Sequence, residues 1–202
     1  MSELTVAVLR SGFTKIVAKL EESADELNAL DAILGDGDIG VSLVRGGRSL
    51  LAELPSLPDD DLGAALMRSA QAITRISGST CGTLLATGLL SAAKKTMGKA
   101  CVPWSEVSHL LAASVEAISR RGKCELGDKT ILDAVEAARR AAEGTTEPAE
   151  IVSACDGAVG EVVEAFRHQV SRQGRARMFP ERSMGNPDPG IVAFKRILEA
   201  LH

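Results

Sequence analysis

The sequence predicts an all-α fold: a single domain, residues 1–202, arranged as an antiparallel bundle or barrel of about eight helices. Three observations carry this. Apolar residues recur at the three-and-four spacing of an amphipathic helix along nearly the whole chain. Aromatic residues make up only 2% and tyrosine is absent, which argues against a sandwich or barrel of strands, since those lean on aromatic and β-branched side chains. The breaks between periodic segments are short and rich in glycine or proline, the punctuation that joins antiparallel neighbours.

Leu9, Phe13, Ile16, Val17 and Leu20 predict a helix over 4–20, and Leu27, Leu30 and Leu34 a second over 22–34, which could be continuous with the first. Further helices are predicted over 40–54, 60–75, 82–97, 104–120, 129–143, 148–172 and 190–201. They are separated by LPSLPDDD, GST, GKACVP, RGKCELGD, GTTEP and the long segment RQGRARMFPERSMGNPDPG. No internal repeat and no long linker interrupts the series.

Composition excludes several functions. A net charge of −4 with one Trp and four Phe supplies neither the basic footprint nor the stacking platform of a nucleic-acid binder. No apolar run is long enough to span a bilayer, and the start, MSELTVAVLRSGF, lacks the basic region and apolar run of a signal peptide, so the expected location is the cytoplasm. Cys81, Cys101, Cys124 and Cys155 are widely spaced, without a C-x-x-C pair or neighbouring paired histidines, and are expected to be reduced thiols rather than zinc ligands. His109 and His168 sit in amphipathic patterns and His202 ends the chain; none is assigned chemistry.

The segment LDAILGDGDIGVS crowds Asp31, Asp36 and Asp38 around a glycine-rich break. Three carboxylates so close repel one another, and a hard cation such as Mg²⁺, which takes oxygen ligands, compensates them. On a continuous helix Asp36 would point away from Asp31 and Asp38, so the three converge only if the helix ends near Leu34. Asp-Gly is also an ordinary turn dipeptide and Asp an ordinary helix cap, and spacing alone supports both readings. A calcium hand fits poorly, because counting from Asp36 puts Gly40 and Gly47 where ligands are needed, and no phosphate loop of the Gly-x-x-x-x-Gly-Lys-Ser/Thr type exists.

Three more junctions combine glycine with capping or polar residues. Ser77 to Gly82 precede an apolar helix whose first N–H groups could hold phosphate. Cys81 lies at that N-terminus, where the helix dipole favours thiolate and so a reactive sulfur. At RGKCELGDKTILDA, Asp128 is expected to cap a helix carrying Lys129 and Thr130 in its first turn. The late segment carries Arg175, Arg177, Arg182 and Asp188-Pro189-Gly190. Each could be plain punctuation; together they point to a nucleotide site at one end of a bundle.

Asn28-Ala29-Leu30-Asp31 with Gly35-Asp36-Gly37-Asp38, Gly127-Asp128-Lys129-Thr130 with Asp133-Ala134, Gly174-Arg175-Ala176, Glu181-Arg182-Ser183 and Asp188-Pro189-Gly190 together resemble the nucleotide-binding L subunit of dihydroxyacetone kinases, in order and spacing from about residue 4 onward. The resemblance implies an eight-helix barrel with ADP or ATP at its mouth, held through two Mg²⁺ ions. It implies Asp31, Asp36 and Asp38 as metal ligands. The phosphate contacts would come from Ile39, Gly40, Val41 and Ser42 and from Thr80 and Cys81. Gly122 and Ile131 would lie around the base, and Arg175, Asp188, Pro189 and Gly190 would contact the nucleotide from the closing C-terminal segment.

In that family the ketose is held covalently by a histidine of a separate K-type subunit or domain, for which this chain leaves no room. A K-type partner is therefore expected, and this chain is expected to supply no catalytic side chain of its own. The resemblance also brings in a phosphohistidine carrier of the sugar phosphotransferase system as an alternative donor to ATP. Two departures stand out: Ile39 replaces the family's usual His, and Cys81 its usual Ser, which weakens side-chain donation to phosphate. They imply a divergent branch acting on another short ketose such as a tetrulose. The competing readings are a non-catalytic nucleotide-binding regulatory module and a helical interaction protein.

Overall fold

The computed structural model describes residues 3–76 and 78–202, and Ser77, grouped above with the phosphate-binding junction, lies outside them. The described elements are β1 (Glu3–Thr5), α1 (Val6–Glu22), α2 (Ala24–Leu34), α3 (Ile39–Glu53), α4 (Leu62–Ile76), α5 (Thr80–Thr96), β2 (Cys101–Pro103), α6 (Val107–Gly122), α7 (Ile131–Ala141), α8 (Pro148–Arg167), a short α9 (Pro180–Ser183) and α10 (Pro189–Glu199), with single 3₁₀ turns at Leu54–Ser56, Trp104–Glu106 and Arg175–Met178.

Eight of these helices close into a ring. In order round it, α3 packs on α4, α4 on α5, α5 on α6, α6 on α7, α7 on α8, α8 on α10, α10 on α1 and α1 back on α3, while α2 lies against α3 and α10. The closure follows from the sequence pattern. Each helix turns an apolar stripe inward, and Phe13, Val17, Leu20, Leu43, Leu50, Ile118, Val135 and Phe194 are all buried. The ring surrounds an apolar space of about 200 Å³ lined by side chains of this kind and by Gly47 and Gly88. No helix among the described residues is long and apolar enough to cross a membrane.

The expectation of helices alone is corrected in one detail: Glu3–Thr5 and Cys101–Pro103 pair antiparallel, with Leu4 opposite Val102. Three-residue strands are too short to show a period of two. They tie the start of α1 to the α5–α6 connection, at the end of the ring away from the α5 N-terminus.

Two boundaries differ informatively. The helix expected to reach 172 stops at Arg167, because the next residues find partners outside it: the Ser171 N–H donates to Ser183 Oγ at 3.0 Å and the Arg172 N–H to the Asp128 carbonyl at 3.0 Å. The cap of α7 is Thr130 rather than Asp128. Thr130 Oγ1 accepts from the Leu132 N–H, and Asp133 closes a capping box by accepting from the Thr130 N–H at 2.8 Å. Lys129 stands before the helix in a left-handed conformation, φ 63°, and Asp128 instead accepts from the Glu125 N–H at 2.8 Å.

Candidate functional site

A cleft of about 350 Å³ opens at one end of the ring. The first residues of four helices line it: Ile39 of α3, Thr80 of α5, Ile131 of α7 and Pro189 of α10, together with the C-terminal residues Leu34 of α2 and Gly122 of α6. Four helix N-termini turn partial positive charge toward one space, a setting suited to an anion; side-chain caps take N–H groups at α3, α7 and α10.

The aspartate triad lines the same cleft, with Asp38 as the N-cap residue of α3. Helix α2 ends at Leu34, as convergence requires, and Gly37 takes φ +76° so that the chain doubles back before α3. The Asp38 N–H donates to Asp31 Oδ2 at 3.0 Å. One oxygen from each of Asp31, Asp36 and Asp38 then lies within 4.8 Å of the others. At such separations each pair of unit charges repels by about 1 kcal/mol in water and about 4 kcal/mol at the effective dielectric of a protein surface. An all-oxygen set of this kind suits a hard divalent cation.

Of the other residues singled out from the sequence, Thr80, Cys81, Gly122, Ile131, Arg175, Asp188, Pro189 and Gly190 join Ile39 in lining the cleft. Gly40, Val41 and Ser42 do not. The Gly40 and Val41 N–H groups donate to Asn28 Oδ1, at 2.9 and 3.3 Å, so a side chain of α2 caps α3. A Cβ on Gly40 would overlap the Ala24 carbonyl, which makes this glycine a point of close helix packing. Val41 is exposed, and the Ser42 N–H makes the helical bond to the Asp38 carbonyl.

Cys81 departs from its expected chemistry. Its thiol is buried against Gly190, and burial, reinforced by the Asp188 and Asp31 carboxylates, pushes its pKa up to about 12. A thiol held protonated in this way is a weak nucleophile, against the reactive sulfur expected at a helix N-terminus. Burial also pushes Asp188 up to about 6, against the opposing effects of the Ile191 and Gly190 N–H groups and the Lys129 charge. Asp188 Oδ1 caps α10 through the Ile191 N–H at 3.0 Å.

Sequence reasoning missed several lining residues. Leu84 and Cys124 form an apolar wall beside Gly122 and Ile131, and Gln173 comes from the chain between α8 and α9. Helical periodicity marks Leu84 only as core, and nothing local marks Gln173. Arg175, on the same late segment, reaches across the cleft mouth to Asp36 Oδ2 at 2.6 Å.

The fold and site define a class: a helical barrel whose open end gathers an all-oxygen ligand cluster and converging helix N-termini in one cleft. The chain belongs to the DAK2 domain family, which residues 33–202 match, and its relatives there include ADP-binding subunits (DhaL) of dihydroxyacetone kinases. It is 27% identical to the ADP-binding subunit DhaL of the PEP-dependent dihydroxyacetone kinase of Escherichia coli, over 88% of this chain and 87% of that one. It is 30% identical to the corresponding subunit of dihydroxyacetone kinase 2 of Listeria innocua, over 86% and 82%. An L-erythrulose 1-kinase of Mycolicibacterium smegmatis is 31% identical over 97% of this chain, which spans only 34% of that protein. The crystal structure of the dihydroxyacetone kinase of C. freundii in its native form shares the fold, with a TM-score of 0.76 at 24% identity, over 96% of this chain and 34% of that one.

Proposed function

We propose that the chain is the Mg-dependent nucleotide-binding phosphotransfer subunit of a short-ketose kinase of the dihydroxyacetone type, working with a separate K-type ketose-binding subunit. The observation that carries this reading is that the aspartate triad and four helix N-termini line one cleft. The names of the relatives support it: two are ADP-binding subunits of dihydroxyacetone kinases, and the C. freundii enzyme has been crystallised with AMP-PNP and Mg²⁺.

In this reading Asp31, Asp36 and Asp38 would hold two Mg²⁺ ions, which would supply the neutralisation of phosphate charge. The Thr80 and Cys81 N–H groups, the first two of α5, receive phosphate oxygens. The adenine lies along Gly122, Leu84 and Ile131, and Arg175 with the Asp188–Gly190 turn closes over it. Arg175 balances Asp36 at the cleft mouth and would supply positive charge beside the phosphates. No side chain here is asked to act as acid or base, since phosphoryl transfer needs mainly positioning and charge neutralisation. The ketose is held by the partner, and the chain works in the cytoplasm as one domain.

A second reading, a nucleotide-binding module that regulates a partner without transferring phosphate, has its own support. Ile39 offers the cleft no side-chain donor, and the buried Cys81 thiol is a poor one. Reconstitution decides between them. The purified chain is mixed with a K-type subunit and dihydroxyacetone or erythrulose, with either ATP or a phosphohistidine carrier protein as donor. Ketose phosphate formed only when both subunits are present supports the kinase reading and identifies the donor; Mg-ADP binding without turnover on either donor supports the regulatory one. Turnover by the chain alone contradicts the division of labour.

A further inference from the structure

Lys129 is the largest side chain buried to less than 2% exposure, at 1%, and among the described residues no carboxylate forms an ion pair with it. Its three ammonium protons meet three backbone carbonyls: Gln169 at 2.8 Å, Ser183 at 2.6 Å and Asn186 at 2.8 Å. An ammonium has three donors and no acceptor, so the cage satisfies it fully. The arrangement is costly, because it desolvates a charge and holds a non-glycine residue at positive φ.

The three carbonyls lie at the two ends of one excursion of the chain. Gln169 follows α8, while Ser183 and Asn186 precede α10; between them run Gln173, Gly174 and Arg175, which line the cleft. Supporting bonds gather at the same base: Ser171 N–H to Ser183 Oγ, Arg172 N–H to the Asp128 carbonyl, and Gly185 N–H to the Arg167 carbonyl at 2.8 Å. The excursion is therefore a strap pinched shut at its base by one ammonium carried on the α6–α7 connection. Its tip sets Arg175 over the triad.

We infer that Lys129 is a positioning residue for the nucleotide: by closing the base of the 169–186 strap it fixes where Arg175 stands at the cleft mouth. The inference rests on the nucleotide reading of the cleft. Lys129 makes no contact with the triad; it acts through the strap, and its charge also reaches Asp188 at the start of α10. A neutral, unbranched side chain such as Met leaves three carbonyls without a donor, and the strap then moves with respect to α7.

The test combines Lys129→Met, Arg175→Ala and the double variant, with calorimetric Mg-ADP affinity and amide hydrogen exchange as readouts. Lys129→Met is expected to weaken Mg-ADP by about 10- to 100-fold, the scale of losing a residue that orients a ligand group. Because both residues act through one contact, the double variant should bind no more weakly than the weaker single variant. Exchange at Ser171, Arg172 and Gly185 should accelerate while α4 and α5 stay protected, a split that general destabilisation would not produce. Affinity within about threefold of the parent, or additive losses in the double variant, overturns the inference. Should Lys129→Met not fold, the nucleotide-free parent decides: these amides should already be protected, and protection that appears only with ADP overturns closure by Lys129. The exchange arm needs no nucleotide. A parent that fails to bind Mg-ADP would thus sink the nucleotide reading, while the exchange rates still decide whether Lys129 closes the strap.

Discussion

Replacing Asp36 by Asn should act in opposite directions on the free and the metal-bound protein. In the free protein the change removes two repulsive pairs from the triad, each about 1 kcal/mol in water. It also removes the Arg175 pair, whose partners are 68% and 49% exposed and which is worth about 0–1 kcal/mol. Metal-free stability should therefore hold or rise slightly. The relief of repulsion is present in both states and cancels from the binding free energy. What remains is the lost attraction: a doubly charged ion at about 2.1 Å attracts a carboxylate roughly four times as strongly as a unit charge does at twice that distance. A water or the amide oxygen entering the vacated position returns part of this, leaving a loss of about 2–3 kcal/mol, or roughly 30- to 150-fold in Mg-ADP affinity. Calorimetry on parent and variant gives the affinity, and thermal unfolding in chelator gives the stability. An affinity within about threefold of the parent, or a folded state that collapses without metal, would refute the electrostatic argument and make Asp36 a turn residue.

Cys81 should resist alkylation at neutral pH with or without Mg-ADP, because its pKa near 12 leaves almost no thiolate; peptide mapping that finds it labelled ahead of the partly exposed Cys101 would contradict its burial. Asp188, at about 6 in the folded protein against an ordinary 3.8, binds a proton that the unfolded chain releases between these values. Its contribution to stability is thus full below about pH 4 and is lost as pH rises through 6, and Asp188→Asn in metal-free buffer should flatten that part of the stability–pH curve. Gly40→Ala should cost about 1–3 kcal/mol by driving a methyl group into the Ala24 carbonyl, lowering the melting temperature by roughly 2–4 °C per kcal/mol, and an unchanged melting temperature would remove Gly40 from the α2–α3 contact.

What could be read from the chain in advance was what local physics determines. Amphipathic spacing located the ring helices within a few residues, and the incompatibility of Asp31, Asp36 and Asp38 on one continuous helix placed the break at Leu34, where α2 ends. What could not be read depended on partners far along the chain. Nothing around residue 168 ends a helix; α8 stops because Ser183 Oγ and the Asp128 carbonyl compete for the next N–H groups. The cap of α7 moved from Asp128 to Thr130 because Lys129 is drawn inward by three carbonyls about 40 to 57 residues away, and that contact carries the strap. Cys81 looked reactive because a helix N-terminus is visible in sequence, whereas the α10 turn that buries it is not. Gly40, which the resemblance implies as a phosphate contact, also packs against the Ala24 carbonyl, a neighbour that no local pattern shows.

The central claim is that this cleft binds nucleotide through divalent metal held by the triad. Its most direct test is a calorimetric titration of the purified chain with ADP, in Mg²⁺ and again in excess chelator. Binding should be saturable in Mg²⁺ and weaken by at least about two orders of magnitude in chelator, because only a divalent cation reconciles three carboxylates with a diphosphate. Equal affinity with and without metal, or no binding in either buffer, would contradict it.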